Sequence, residues 1–534
     1  MGFTSKRFGL FFKIGVHFYF KKNIQLLTNP VKSDIIEKRL FEEGNIMAKK
    51  ILAVFLSIVL SAQLFVIGVS AKGKKYIIVN PYEKVDWDEW GSYKFQPHCH
   101  TNASDGYLTV KESVQMHYDL NYDIVALTDH GTINKGWNQK PDLVPLIRLV
   151  KYDRTHMAPI IPLTDEEYES YQSGTAPSAE RTHKNGMLDV PQGIELNMAT
   201  PKADCHLTGY FSDYGQGLAG VYGDYETPSK GVREAGGISM LSHVGEYVYP
   251  DKDSADHVGQ KVDDYYANKF ARLFLDNAGS SLGIGINSAT DAHTRCDRIL
   301  YDQILQKTIP NGVVPWGFAF SDSHNVRSLN DAYTMLMMKD FDMNNFRASM
   351  ENGWSFAVSH YSNGVELNGM EEIPGFDEDK VYDEKLYSQD NTPMVTRIDV
   401  DRDNGTIKIE GTNFDRITWV SNGNVIKREE NITRGTAMLD LYSDDLLDDP
   451  YLYIRFYITG ENGICYAQPF VLSVEGEEFT PVDVPETHDV STFLRGLATV
   501  TDWLFFRFNP LIWLFKYVAL GYNVFDRFFH PYSN

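Results

Sequence analysis

The chain has 534 residues, enough for two or three domains, and its 43% hydrophobic content is that of a globular protein with a large core. A formal net charge of −22 excludes general nucleic-acid binding, which needs a basic footprint, so no nucleic-acid duplex partner is expected. It does not exclude an anionic substrate, because bound cations reverse the local field.

Met47 opens MAKKILAVFLSIVLSAQLFVIGVSAKGKK, with two lysines, a long apolar run and a small-residue cleavage pattern at Val69-Ser70-Ala71. That is the layout of a secretory signal peptide over 47–71. Residues 1–46 do not belong in front of an export signal and read as an upstream extension. Glu42-Glu43-Gly44 would be encoded by purine-rich codons where a bacterial ribosome-binding site would lie, so Met47 is the expected start. Export from a bacterial cell follows, to the periplasm, the cell surface or beyond. An uncleaved anchor over 51–70 is the alternative reading, its length being close to a membrane span.

From 76 to 360, short apolar runs alternate with helical patterns. Strands are predicted at 93–100, 124–127, 193–196, 206–211, 238–242, 283–287 and 318–321. Helices are predicted at 110–120, 141–152, 258–276, 297–307 and 341–352. Such alternation implies an α/β domain on a parallel sheet or barrel, with polar residues at strand ends as on the C-terminal face of a barrel. His206 leads its apolar run instead of ending it, which points to a loop. An insertion over 134–190 is expected to shape the pocket mouth, and its polar stretch near 171–186 reads as a mobile lid.

Near residue 390 the pattern changes. VTRIDVDRDNGTIKIEGTNF holds two alternating segments joined at Asp403-Asn404-Gly405, a hairpin-type turn. Further strands in RITWVSNGNVIKRE, TAMLDLYS, YLYIRFYITGENG and ICYAQPFVLSVEG predict a small all-β, immunoglobulin-like sandwich over 390–475. An acidic, proline-bearing linker (476–489) leads to an aromatic tail over 490–534, interrupted by Arg507, Pro510 and Lys516. A membrane span wants about twenty uninterrupted apolar residues. Two readings of the tail stand: attachment to a membrane surface or the cell envelope through amphipathic segments, and folding back onto the protein.

Nine potential metal ligands lie in or beside the apolar runs of the first domain: His98, His100, Asp105, His130, Glu195, His206, His243, Asp322 and His324. His98 and His100, one residue apart on a strand, face the same way, as do Asp322 and His324. Gly106 permits a tight turn that returns the Asp105 carboxylate toward them. So many ionisable groups would be costly to bury without cations, so one pocket holding several metal ions is expected.

HCHTNASDG, ALTDHGT, GIELN, CHLTGYF, MLSH and FSDSH, in this order, resemble the motifs of the PHP (polymerase and histidinol phosphatase) superfamily, with every expected ligand position filled. The resemblance implies a distorted (β/α)7 TIM-like barrel, the PHP fold, and metal-dependent phosphoesterase activity. It implies one metal on His98, His100, Glu195 and Asp322, and a second on Asp105, His130 and His324. A third would sit on Glu195, His206 and His243, with Glu195 bridging. Catalysis would then rest on Asp105, His130, Glu195, His243 and Asp322. Asp105 replaces a His seen in some relatives, and the harder ligand favours manganese or iron over zinc at that ion. Two or three divalent ions (Zn, Mn or Fe) are therefore expected. They would neutralise a small phosphorylated substrate, monoester or diester, and ionise a bridging water to the attacking hydroxide. A non-phosphate metallohydrolase and a cell-surface binding protein with a metal-stabilised barrel are the rival readings.

Asp129, beside His130, is a candidate to orient an imidazole. Arg295 and Arg298, with Asp291 and His293, follow the sixth strand, and Arg327 follows DSHN. All three arginines are candidates to bind substrate phosphate, against the alternative of a solvated loop and helix start. His117, His156, His183 and His257 read as ordinary helix or loop residues. Of Cys99, Cys205, Cys296 and Cys465, the first two admit a disulfide that export permits; buried thiols are the other reading.

Overall fold

A computed structural model describes residues 74–141, 160–199, 204–215, 226–244, 261–287, 297–360 and 391–487, all within one compact unit, Lys74–Asn534. The upstream extension, signal peptide and aromatic tail lie outside the described residues. So do the helix expected at 141–152, Asp291, His293, Arg295, Cys296, His156 and His257.

In chain order the first half runs β1 (Tyr76–Val79), β2 (Gly91–Gln96), α1 (Val110–Asp119), β3 (Ile124–Val125), α2 (Asp165–Ser173), β4 (Leu188–Asp189), β5 (Ile194–Ala199) and β6 (Asp204–Tyr210). Then come α3 (Glu226–Glu234), β7 (Ile238–Ser242), α4 (Asp264–Asp276), β8 (Ser281–Asn287), α5 (Asp297–Thr308) and β9 (Trp316–Ala319). β10 (Ala332–Met338), α6 (Met343–Asn352) and β11 (Ser355–Ser359) complete the α/β part. The C-terminal strands are β12 (Met394–Asp401), β13 (Thr406–Thr412), β14 (Arg416–Ser421), β15 (Asn424–Glu430), β16 (Thr436–Asp440), β17 (Leu452–Gly460), β18 (Gly463–Ala467) and β19 (Phe470–Val474). No helix among the described residues is long and apolar enough to cross a membrane.

Local signals explain many boundaries. Thr109 and Glu112 form a reciprocal capping box at the start of α1, and Thr164 and Glu167 do the same for α2. Asp401 accepts the backbone N–H groups of Asp403 and Asn404, turning β12 into β13 where the sequence predicts a hairpin. Asn422-Gly423, both at positive φ, make the tight turn between β14 and β15.

β5 to β9 form a five-stranded sheet in sequence order. β2, β3 and β4 are neighbours at one end of a larger sheet. Single parallel bridges join the two sheets: His130 to Glu195 beyond β3, and Cys99 to Ser323 beyond β2 and β9. The strands β2, β3, β5, β6, β7, β8 and β9 thus pass the pairing around a ring. Only β6 runs against both of its neighbours. That reversal corrects the expectation for His206. It sits inside a strand, not a loop, and because β6 is reversed its early residues lie at the end of parallel β7, with His206 opposite Ser242.

The larger sheet runs β1-β19-β17-β18-β11-β10-β2-β3-β4 and joins the two halves of the protein. Its joint is β11 against β18, from Phe356↔Ala467 to Ser359↔Ile464. The hydrophobic core crosses with it: Val114, Tyr118 and Leu127 belong to the same buried cluster as Phe356, Trp419 and Ile458. A buried ion pair adds a second tie. Asp302 on α5 accepts Arg455 Nε (2.8 Å) and Nη2 (2.7 Å) and the Tyr453 hydroxyl (2.6 Å), both from β17.

Candidate metal centre

The ring of strands delivers all nine candidate ligands to one place. His98 Nε2 lies 3.3 Å from Glu195 Oε1 and 3.1 Å from Asp322 Oδ1. His100 Nε2 lies 3.1 Å from Glu195 Oε2 and 3.0 Å from Asp322 Oδ1. Asp105 Oδ2 is 3.6 Å from Nε2 of both His130 and His324. Glu195 Oε1 is also 2.6 Å from His206 Nδ1 and 3.4 Å from His243 Nε2, and its Oε2 is 2.9 Å from His130 Nδ1. Glu195 is therefore shared by five imidazoles. It is the second residue of β5, not a strand end, and the ring centre is reached because His130 bridges to it.

These atoms fit a cation cluster. Groups able to hold an ion are His100, Asp105, His130 and His324; His98, His243 and Asp322; His98, His100 and Glu195; and His130, Glu195 and His206. Both Glu195 oxygens and His98 Nε2 are buried yet make no hydrogen bond of acceptable geometry, although possible partners lie close by. Lone pairs directed at one another across about a strand's reach are unfavourable unless a positive charge lies between them. Without an ion, protons supply that charge. Burial opposes charging His100, but the Asp105, Asp322 and Glu195 carboxylates beside it outweigh burial and raise its pKa well above the imidazole value. Burial likewise opposes ionising Glu195, and His130, His206 and His98 overcome it, holding the carboxyl well below its usual range.

Two ligands sit on left-handed backbone: His243 at φ 26° and Asp322 at φ 48°. Non-glycine residues pay for that conformation, and such strain gathers at functional sites. Gly106 closes the turn that returns Asp105 to the centre, its N–H donating to Thr101 O at 2.9 Å. Its φ is not in the left-handed region; a Cβ there would meet the His100 carbonyl oxygen and carbon at 2.6 Å, so it permits close backbone approach.

Surrounding side chains set ring orientation. The Thr128 hydroxyl is 2.6 Å from His98 Nδ1, and the Asp322 carbonyl is 2.9 Å from His324 Nδ1. The carbonyl can only accept, so it places the proton on His324 Nδ1, and both contacts turn Nε2 inward. Sequence reading missed Thr128; its place two residues before His130, at a strand end, was the available signal. Asp129, the candidate to orient an imidazole, touches none directly. Its buried carboxylate accepts from Thr101 N (2.7 Å) and Oγ1 (2.8 Å), Ser104 N (3.2 Å) and Oγ (2.8 Å), and Asn134 Nδ2 (3.1 Å).

Two of the three arginine candidates, Arg298 and Arg327, lie among the described residues. Arg298 is buried on α5 with its guanidinium over the rings of Tyr457 and Tyr466, at 5.9 and 5.5 Å. The helix turns its guanidinium toward the joint between the two halves. Arg327 is exposed in the single helical turn after His324, whose start Asn325 caps. The stretch near 171–186, expected as a lid, is fastened: Arg181 donates to Tyr118 O and Tyr122 O, and His183 Nδ1 is 2.8 Å from Asp123. His117 is an ordinary buried helix residue, 2.8 Å from Ser113 O. Cys99 is a free buried thiol, its Sγ on Ala126 O, so it forms no bridge to Cys205.

No protein-family model and no curated protein matches the chain. Among solved structures, it is similar to a two-domain protein containing a predicted PHP-like metal-dependent phosphoesterase from Bacteroides vulgatus ATCC 8482. Identity is 12% and the TM-score 0.35, over 72% of this chain and 96% of that one. The neighbours include the family that the motifs resemble. An amidohydrolase from Chromobacterium violaceum shows 13% identity and TM-score 0.25, over 44% of this chain and 89% of that one. A lesion-specific endonuclease from Pyrococcus furiosus shows 10% identity and TM-score 0.25, over 49% and 56%. Likenesses this distant leave the chemistry to be decided by the centre's own geometry.

Proposed function

We propose that this protein is an exported, metal-dependent phosphoesterase that hydrolyses a small phosphomonoester or phosphodiester at a trinuclear centre. On this reading the ring of strands is a distorted (β/α)7 barrel and the C-terminal strands are an immunoglobulin-like sandwich. The tail attaches the protein to a membrane surface or the cell envelope. The observation that carries the catalytic reading is Glu195, a fully buried carboxylate whose two oxygens face five imidazoles without a hydrogen bond of acceptable geometry.

His98, His100, Glu195 and Asp322 would hold one ion, Asp105, His130 and His324 a second, and Glu195, His206 and His243 a third. When bound, divalent ions such as Mn, Zn or Fe supply Lewis acidity that neutralises phosphate charge and acidifies water. The chain's own residues set the rest. His98, His100 and Glu195 form a closed floor, whereas Asp322 is 19% and His324 32% exposed at the side chain. Substrate therefore enters over the partly exposed side chains of Asp322, His324 and His206, and bulk water is kept from the floor. Cys99 supplies no nucleophile, because burial raises its thiol well above the ordinary range.

The test is hydrolysis of p-nitrophenyl phosphate and bis-p-nitrophenyl phosphate with added manganese or zinc. Cleavage of either ester, lost in His98→Ala and Asp322→Ala, is expected. A metal-loaded protein that cleaves neither phosphate ester but does cleave carboxylic esters or amides would replace this reading with a non-phosphate metallohydrolase.

A further inference from the structure

The side chain of Ser104 meets three groups: Asp129 Oδ1 at 2.8 Å, Asp105 Oδ1 at 3.2 Å and His100 Nδ1 at 3.3 Å. A hydroxyl carries one proton. The nearest charged acceptor is Asp129, whose Oδ1 is fixed in place by two further donors, Thr101 N and Ser104 N. With that proton committed, the Ser104 lone pair faces His100, so Nδ1 of His100 must be the donor. Asp105 Oδ1, 3.3 Å from the same nitrogen, makes the same demand. In the neutral ring the other nitrogen, Nε2, is then bare, and it faces two more acceptors, Asp322 Oδ1 and Glu195 Oε2, the arrangement a cation between them would satisfy.

We infer that Asp129 is a positioning residue for the metal centre: acting through the Ser104 hydroxyl, it fixes the His100 tautomer that presents Nε2 to a cation shared with His98, Glu195 and Asp322. Asp129 and Ser104 are both wholly buried, so water does not substitute for either. The same carboxylate holds Thr101, and so the whole 101–104 segment that carries the chain from His100 to Asp105. The inference rests on the metal-centre reading and extends it to a charge that touches no ligand directly.

Cobalt(II) titration of the full chain, read by its visible absorption and by equilibrium dialysis, tests this. Ser104→Ala and Asp129→Asn should each weaken metal binding by roughly 10–100-fold and shift the cobalt spectrum. Asn134→Ala, which removes a hydrogen bond to the other Asp129 oxygen, Oδ2, and leaves the Ser104 bond to Oδ1 in place, should leave both unchanged. Ser104→Ala is the decisive variant, because removing one hydroxyl spares the fold even if Asp129→Asn does not. Wild-type affinity and spectrum in Ser104→Ala would overturn the inference, as would equal losses in Asn134→Ala. Less than one equivalent of metal on the wild-type chain would overturn the metal-centre reading itself.

Discussion

The backbone carbonyl of Asp322 accepts a hydrogen bond from Nδ1 of His324 at 2.9 Å, two residues along the chain. The left-handed φ of Asp322, 48°, accompanies that inward turn. One residue thus supplies a carboxylate to the centre and orients the next ligand. Asparagine tolerates this conformation and keeps the shape, while valine does not. Asp322→Asn should fold, with its chelator-treated form melting close to wild type, yet hold at least one metal equivalent less. Asp322→Val should lose metal and also cost roughly 1–2 kcal/mol of stability. Full metal content in Asp322→Asn would contradict the ligand assignment.

Arg298 offers a contrast between packing and recognition. Its guanidinium lies over Tyr457 and Tyr466 in the joint between the halves. Arg298→Ala should lower stability by about 1–3 kcal/mol through lost stacking and a buried gap. KM for a phosphate ester should not change in the fraction that folds. A raised KM at wild-type stability would return Arg298 to the substrate site.

The Arg455–Asp302 pair is wholly buried, so removing one partner strands the other. Arg455→Met should cost about 3–5 kcal/mol, and adding Asp302→Leu should recover part of that loss. Denaturant unfolding of the two single variants and the double variant measures the coupling. Additive losses would show that the two groups do not act as a pair.

Asp331 predicts a pH dependence. Burial raises its carboxyl from 3.8 to about 8, and its Oδ1 makes no hydrogen bond. The folded state therefore binds a proton that the unfolded chain releases near 3.8. Stability from this group is full below pH 3.8 and is lost as pH rises toward 8. Asp331→Asn should melt like wild type near pH 4 and increasingly above it from there to pH 8. A constant difference across that range would place the titration elsewhere.

Much of the centre was legible because its ligands come in pairs with strand periodicity. His98 and His100 face one way because Cys99 between them turns its sulfur to Ala126. The same logic failed where orientation depended on a partner strand. The run at His206 looked like a loop entry, since nothing in its own residues says that β6 is reversed. Arg298 looked like a phosphate ligand because it follows the sixth strand and a guanidinium suits phosphate; its contacts on α5 are with β17 and β18, more than a hundred residues away.

Alone, the amino-acid order determined which groups are available to hold cations and where helices and turns begin, because caps, turn residues and strand alternation act over a few neighbours. Three things were settled only by the folded chain: the sharing of Glu195 among five imidazoles, the route from Asp129 through Ser104 to His100, and the single sheet that runs from β4 to β1 across both halves. Each depends on distances between residues far apart in the chain, and long-range packing, not local propensity, fixes those distances.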